Sequence, residues 1–253
     1  MQTPPRFEIQ ERSQIKLKPP EFLCDRVIHR QIEPPLPDTS FFLNIIGGPG
    51  QGKTSMLVNL LSSRQAYKRA FNHVHVVMPP SSCASLSKNI FRDHDKMHDE
   101  LTYETLETVH EACLQASADK ENSLLVLDDV TASLKDSDIQ TLLKRLLYNR
   151  RHLRISVIIL TQSFNATPLA IRKAVSHFIV FKAANKREFE AIFSELIQTP
   201  RDIAEALQRF VFRKKHDFLY GDVATGSFFR NFDRIRITNA EEDLQDQDQD
   251  QDQ

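Results

Sequence analysis

The sequence predicts an α/β protein built around a mostly parallel β-sheet, and three observations lead to this prediction. From residue 41 to residue 209, short apolar runs alternate with longer amphipathic stretches, as expected for parallel strands joined by helices. The glycine-rich segment 47–54, GGPGQGKT, stands between such a run and such a stretch. A later apolar run, 124–127, ends in Asp128 and Asp129. In parallel sheets of this kind the ligand binds at the carboxyl ends of the strands. The glycine-rich segment and the two aspartates are therefore expected to lie close together there.

The two ends of the chain differ in composition from its middle. Seven of the 12 prolines lie in residues 1–37, and proline fixes φ and removes a backbone donor, so residues 1–38 are expected to form an extended arm. Residues 239–253 are dominated by an Asp–Gln repeat that cannot bury a core, and are expected to be an acidic disordered tail. The folded domain is therefore predicted to span residues 39–238.

Strands are predicted wherever a short run is rich in β-branched or aromatic apolar residues. Five runs meet this description, at residues 41–46, 74–78, 124–127, 155–160 and 178–181. Helices are expected at residues 53–63, 102–117, 137–150, 167–175, 186–197 and 201–209. Residues 217–237 carry the last two glycines between aromatic runs, which predicts a β-hairpin added to the end of the sheet. With residues 74–78 as the outer strand, the five strands are expected in the order 5-1-4-3-2.

Residues 47–54 match the phosphate-binding pattern G-x-x-x-x-G-K-[ST] in the expected context of strand, loop and helix. Backbone N–H groups of such a loop and of the helix start attract phosphate oxygens. Lys53 is expected to contact the β- and γ-phosphates, and the Thr54 hydroxyl to bind Mg²⁺. The pattern predicts that ATP and Mg²⁺ are the cofactors. The residues expected at the nucleotide are Gly47, Gly48, Pro49, Gly50, Gln51, Gly52, Lys53, Thr54 and Ser55.

The run 124–127 and its two aspartates have the form of a Walker B strand. A carboxylate at the end of a buried strand beside the phosphate loop would face the metal, so Asp128 is assigned to Mg²⁺ together with Thr54. Asp129 is assigned a catalytic role, in which it orients or deprotonates the attacking water. The alternative for both is an Asp pair that caps the helix after the strand.

Two further features accompany the run 155–160. It is followed by Thr161 and Gln162, and Gln162 is placed either at the γ-phosphate or the water, as a catalytic residue, or as a cap of the next turn. Before the run lies a basic cluster that could be a solvated helix end, an arginine finger for a neighbouring subunit or a contact to nucleic-acid phosphates. Its members are Lys144, Arg145, Arg150, Arg151 and Arg154.

Taken in order, the segments GGPGQGKTS, LLVLDDV and YNRRHLRISVIILTQS resemble the viral genome-packaging ATPases of the poxvirus and large-DNA-virus type, within the FtsK/HerA superfamily. The resemblance covers about residues 40–235. It implies a RecA-like fold with an additional strand between the phosphate-loop and Walker B strands. In that superfamily an arginine lies some eleven residues before the strand-end Gln, and Arg151 occupies that place. One departure is Asp128-Asp129, where cellular members usually have Asp-Glu.

The resemblance implies an ATP-driven motor that moves double-stranded DNA into a capsid. It also implies a homo-oligomeric ring, a hexamer or a pentamer, that works with capsid proteins. The implied location is the host cell cytoplasm or nucleus, at the site of virion assembly or associated with the virion.

Composition agrees with these expectations without requiring them. The chain has a net charge of −1, but seven acidic residues lie in the last 13, so that residues 1–240 carry 33 Lys and Arg against 27 Asp and Glu, or +6. A basic body suits a polyanionic partner, although a solvated surface with a solubilising tail would show the same charge. The absence of a long apolar run predicts no membrane partner and no secretion. Three widely spaced cysteines fit a reducing compartment.

Two other functions share the phosphate loop. A nucleoside or small-metabolite kinase would carry an Arg-rich lid and would not require a Gln at the end of the fourth strand. A scaffold that binds ATP only for assembly would not need Lys53, Thr54, Asp128 and Asp129 together, and all four are present.

Overall fold

A β-sheet forms the centre of the structure, a computed structural model that describes residues 32–84, 90–91, 96–183 and 185–236. Within these residues the sheet has nine strands. In chain order they are β1 (Phe42–Ile46), β2 (His73–Val77), β3 (Met97–His98), β4 (Ser123–Asp128), β5 (Ile155–Thr161), β6 (His177–Phe181), β7 (Phe218–Asp222), β8 (Ser227–Arg230) and β9 (Asp233–Arg234).

The strands lie in the order β3-β2-β4-β5-β1-β6-β7-β8-β9. All neighbours from β3 to β6 are parallel, and those from β6 to β9 are antiparallel. The prediction of about five strands in the order 5-1-4-3-2 is wrong for the sheet as a whole, because four more strands extend it. The five predicted segments lie side by side as β2, β4, β5, β1 and β6, while β3 is added at one edge and β7–β9 at the other. The predicted C-terminal hairpin is the pair β7–β8, and β9 extends it.

The described residues contain seven α-helices, most of them close to the predicted bounds. They are α1 (Lys53–Ser62), α2 (Pro80–Ala84), α3 (Tyr103–Ala118), α4 (Ser137–Tyr148), α5 (Leu169–Arg172), α6 (Lys186–Ile192) and α7 (Arg201–Val211).

Two predicted helices are shorter than expected. α5 has only four residues, since Phe164–Ala166 form a 3₁₀ turn and Pro168 then precedes the helix, a position where its ring is tolerated. α6 ends at Ile192 and continues as one π-helical turn, Phe193–Ile197.

The sheet separates two apolar cores. Along β1, Phe42 and Ile46 contact the core beneath α3, α4, α6 and α7, whereas Leu43 and Ile45 contact the core beneath α1. Such alternation buries both faces of a parallel strand, which explains why the parallel strands read as continuous apolar runs. α4 begins at a cap in which the Asp136 side chain accepts hydrogen bonds from two backbone N–H groups of the first turn.

The described part of the proline-rich arm contacts the body of the domain. Tyr67 donates a hydrogen bond from its hydroxyl to the Pro37 carbonyl at 3.1 Å, and Tyr220 donates one to the Pro35 carbonyl at 2.7 Å. The rest of the predicted arm, residues 1–31, and the predicted tail lie outside the described residues. No helix in the described ranges is long and apolar enough to span a membrane.

Candidate nucleotide-binding site

The phosphate loop connects β1 to α1, as its sequence predicts. Gly50 and Gly52 have φ angles of +71° and +103°. Residues that carry a Cβ rarely adopt such angles. At Gly47 a Cβ would lie 2.9 Å from Gln51 Oε1 and 3.0 Å from Phe181 Cβ. The loop therefore needs glycine at these positions for its conformation and for the close approach of β6.

Gln51 fixes the loop from within. Its Oε1 accepts a hydrogen bond from the Gly48 backbone N–H at 3.0 Å, and its Nε2 donates one to the Lys182 carbonyl at 2.8 Å. The second bond joins the loop to the residue that follows β6. Pro49 and Gly50, between these two bonded residues, are exposed.

The Lys53 ammonium lies against the loop that precedes it. Its Nζ donates hydrogen bonds to the carbonyls of Gly47 at 2.7 Å and Gly48 at 3.2 Å. Burial lowers the pKa of Lys53 from its ordinary value, and the nearby Asp128 and Asp129 carboxylates act in the opposite direction. The Lys53 ammonium is therefore held by the loop and lies near both carboxylates.

Asp128 is the last residue of β4 and is buried. Thr54, in the first turn of α1, donates a hydrogen bond from Oγ1 to Asp128 Oδ2 at 3.3 Å. Burial raises the pKa of the Asp128 carboxyl, and this effect is opposed by the Thr54 hydrogen bond and by Lys53. A carboxylate and a hydroxyl that meet in a partly buried place suit Mg²⁺, which takes few protein oxygens and completes its shell with phosphates and water.

Asp129 and Gln162 meet where two neighbouring strands end. Gln162 donates a hydrogen bond from Nε2 to Asp129 Oδ1 at 3.1 Å, and both residues are exposed. Asp129 has a φ of +55°, the left-handed conformation that Asp tolerates better than most residues. The turn after β4 thus directs Asp128 and Asp129 differently, Asp128 to Thr54 and Asp129 to the end of β5.

Arg151 does not join this group. It is exposed, in the turn between α4 and the first residue of β5. β5 is parallel to β1, with Phe42 opposite Val157 and Ile46 opposite Thr161. The phosphate loop follows β1 and Arg151 precedes β5, so the two lie at opposite ends of the parallel strands. Within the basic cluster, Arg150 is half-buried and donates from Nη1 to the Leu147 carbonyl at 3.0 Å.

Sequence reasoning missed one residue at the loop. His216 donates a hydrogen bond from Nδ1 to the Gln51 carbonyl at 2.9 Å. The sequence places His216 between the basic run 213–215 and the predicted hairpin at residues 217–237. The contact spans 165 residues and depends on the antiparallel return of β7 beside β6, for which the sequence around His216 carries no local signal.

Comparison with known protein families identifies the chain. The model of the family described as "Poxvirus A32 protein" matches residues 32–252. The chain belongs to this family. The expected resemblance to proteins of the poxvirus type is thereby confirmed.

Curated relatives of the A32 family member include the "DNA packaging protein OPG160" of Variola virus and of Vaccinia virus (strain Copenhagen). Each is 29% identical over 161 residues, which cover 56% of this chain and 53% of the relative. The chain spans about half the length of the curated relatives it matches.

Two solved structures share the fold of this A32 family member. One is the DNA-packaging ATPase B204 from Sulfolobus turreted icosahedral virus, with a TM-score of 0.57 and 18% identity over 78% of this chain and 98% of that one. The other is EssC, ATPases 2 and 3, from Geobacillus thermodenitrificans, with a TM-score of 0.52 and 18% identity over 72% of this chain and 37% of that one. The predicted α/β class with a mostly parallel sheet is confirmed.

Proposed function

We propose that the chain is an Mg²⁺-dependent ATPase that moves double-stranded viral DNA into a capsid as a homo-oligomeric ring. The observation that carries the proposal is the contact between Thr54 and Asp128 beside Lys53. It unites a phosphate loop with a strand-end carboxylate in a chain of the A32 family, whose relatives are named DNA packaging proteins.

The loop N–H groups and Lys53 bind the β- and γ-phosphates. Lys53 gives up its bonds to the Gly47 and Gly48 carbonyls and turns to the phosphate oxygens, where its charge is better matched. Thr54 and Asp128 would hold Mg²⁺, which would neutralise charge on the phosphates when bound. Ser55, exposed in the first turn of α1, extends the anion-binding helix start.

Asp129 orients the attacking water and accepts its proton. The Gln162 amide donates to one carboxylate oxygen, Oδ1, and leaves Oδ2 for the water. Gln162 also links the position of that carboxylate to β5, so that loss of the γ-phosphate would be transmitted to the sheet.

Arg151 acts on the nucleotide of the neighbouring subunit. Arg151 lies at the amino ends of the parallel strands and cannot reach its own phosphate loop at their carboxyl ends. A head-to-tail ring places this arginine against the next subunit's site. A guanidinium there stabilises charge on the transferring phosphoryl group. A ring of six or five subunits would give every site such a finger.

We infer that duplex DNA and capsid proteins are the partners of this chain. We infer that it acts at the site of virion assembly, in the host cytoplasm or nucleus, or with the virion. They are supported by the names of the relatives and by the +6 charge of residues 1–240.

An assay that reports movement tests the motor directly. ATP-dependent displacement of a labelled third strand from a DNA triplex is expected for the wild type and should be lost in Lys53→Ala. Transfer of labelled phosphate from ATP to a nucleoside, without strand displacement, would identify a kinase and contradict the proposal.

A further inference from the structure

Gln162 lies in a short segment whose main chain is fixed on both sides. Before it, Thr161 ends β5, donates a hydrogen bond from Oγ1 to Asn44 Oδ1 at 3.2 Å, and accepts one on its carbonyl from the Gly47 N–H at 3.1 Å. The Thr161 and Asn44 side chains are both buried. After it, Phe164 begins the 3₁₀ turn and is buried as well. Two residues, the first of them Gln162, separate these fixed points.

The second fixed point depends on Glu188, a residue of α6. Its Oε1 accepts a hydrogen bond from the Phe164 backbone N–H at 2.7 Å, across 24 residues of sequence. Glu188 is only 6% exposed, and glutamate is almost never buried so deeply unless its carboxylate is paired. The bond gives the carboxylate a partner, and it gives an acceptor to a backbone donor that begins a helical turn.

The start of α6 explains why a carboxylate can be buried there. Asn185 caps the helix, and its side chain accepts a hydrogen bond from the Glu188 backbone N–H at 2.9 Å. The positive end of the helix dipole favours a negative charge in this first turn. A Glu three residues after the cap commonly bonds back to its own helix start, whereas Glu188 Oε1 bonds to Phe164. Glu188 thereby joins α6 to the segment that carries Gln162.

Arg172 holds the other groups of Phe164. Its Nη1 donates to the Phe164 carbonyl at 3.4 Å and to the Thr167 carbonyl at 3.2 Å, and its guanidinium lies 4.8 Å from the centre of the Phe164 ring. Two further bonds of 2.9 Å join Arg172 to both carboxylate oxygens of Glu195. The carbonyl and the ring of Phe164 are thus fixed by Arg172, while its N–H, on the side of Gln162, is fixed by Glu188.

We propose that Glu188 is a positioning residue that holds Gln162 against Asp129. The Gln162 side chain is exposed, so its direction is set by the backbone between Thr161 and Phe164. Without Glu188 the Phe164 N–H would be a buried donor without its acceptor, which is costly, and the segment would move to pair it. The inference rests on the proposed function, because it requires that Asp129 and Gln162 act in hydrolysis.

A double-mutant cycle between Glu188 and Gln162 tests this role. Single-turnover hydrolysis of ATP with Mg²⁺ and the dissociation constant of ATP are measured for the full chain. The Glu188 variants are Glu188→Ala, Glu188→Asp and Glu188→Gln, each alone and combined with Gln162→Ala. Glu188→Asp keeps an acid at the helix start but is one methylene shorter, and it carries the test if Glu188→Ala does not fold. Glu190→Ala, at an exposed position of the same helix, is the matched control.

Glu188→Ala and Glu188→Asp are each expected to slow hydrolysis roughly 10-fold or more, because a slightly misplaced catalytic group can cost about 10²-fold. The dissociation constant of ATP should stay within about two-fold, since the phosphate loop is untouched. Glu188→Gln retains an acceptor oxygen and should keep most of the activity. In the Gln162→Ala background the same Glu188 changes should cost less than about two-fold, because their effect passes through Gln162. Glu190→Ala should change neither quantity.

Three results would overturn the role of Glu188 and leave the ATPase proposal standing. They are unchanged hydrolysis in Glu188→Ala or Glu188→Asp, the same loss with and without Gln162, and a Gln162→Ala variant as active as the wild type. The second result would mean that Glu188 only supports the fold. A wild type that does not hydrolyse ATP would overturn the proposed function and this inference together.

Discussion

Gln162 donates a hydrogen bond from Nε2 to Oδ1 of Asp129 at 3.1 Å, joining the residue after β5 to the residue after β4. Asp129 adopts a left-handed φ of +55°, which an L-residue adopts at some energetic cost and which often marks functional positions. The pair lies at the carboxyl ends of the parallel strands, as do Lys53 and Asp128. This arrangement supports the proposed hydrolytic role of Asp129.

Asp129→Asn should leave nucleotide binding largely intact and slow ATP turnover by roughly 10²-fold or more, because it removes a positioned base and preserves the side-chain shape. Single-turnover hydrolysis and ATP binding are the measurements. Asp138→Asn, an exposed aspartate in the first turn of α4, is the matched control. Loss of Mg²⁺-dependent binding with unchanged turnover of bound ATP would mean that Asp129, and not Asp128, is the metal ligand.

Arg151→Ala should bind ATP and assemble normally but be nearly inactive, since a finger supplied in trans contributes about 10³–10⁵ to the rate. Mixing it with Lys53→Ala should restore part of the activity, because mixed rings bring an intact arginine to an intact loop. Lys144→Ala, an exposed residue of the same basic cluster, should remain active. If all mixtures stay inactive while Arg151→Ala assembles, the arginine does not act across subunits.

His177 should make the fold sensitive to acid. Burial lowers its pKa to about 4, with the Arg150 charge acting in the same direction and Asp222, 3.9 Å away, acting against it. Unfolded His titrates near 6.5, so the unfolded chain binds the proton first and the free energy of unfolding falls as pH drops from about 6.5 to about 4. The contribution is fully present above about pH 6.5.

Urea unfolding at pH 7.5 and pH 5 tests this. The loss of unfolding free energy between the two should be smaller in His177→Gln than in the wild type, on the order of 1–2 kcal/mol. His152→Gln, at an exposed position, should keep the wild-type loss. If His177→Gln loses as much unfolding free energy between the two pH values as the wild type, then His177 binds its proton as readily in the folded state as in the unfolded chain.

The parts of the site that could be predicted from the sequence are those whose chemistry is local. The phosphate loop needs its glycines within a few residues, and Asp128 follows the apolar run that becomes β4. The arrangement of these elements at one edge then follows from parallel pairing. β3 was missed because two residues, Met97 and His98, are too few to show a period, and their pairing is fixed by β2.

The β6 side of the loop was beyond sequence reasoning for a different reason. His216 contacts Gln51 across 165 residues of sequence, and Asp217 accepts hydrogen bonds from Arg230 and Asn231 at the end of β8. No spacing or composition relates these positions. Their neighbourhood arises only when the antiparallel hairpin closes on β6.

The proposed motor requires that this phosphate loop drive ATP hydrolysis and that DNA stimulate it. Steady-state ATP turnover by the full chain, with and without duplex DNA over a salt series, tests it most directly, with Lys53→Ala as the loop-deficient variant. We expect that duplex DNA increases ATP turnover, that salt reduces this increase because phosphate contacts weaken, and that Lys53→Ala abolishes turnover. Turnover that persists within about two-fold in Lys53→Ala, or a wild type that does not hydrolyse ATP with or without DNA, would contradict it.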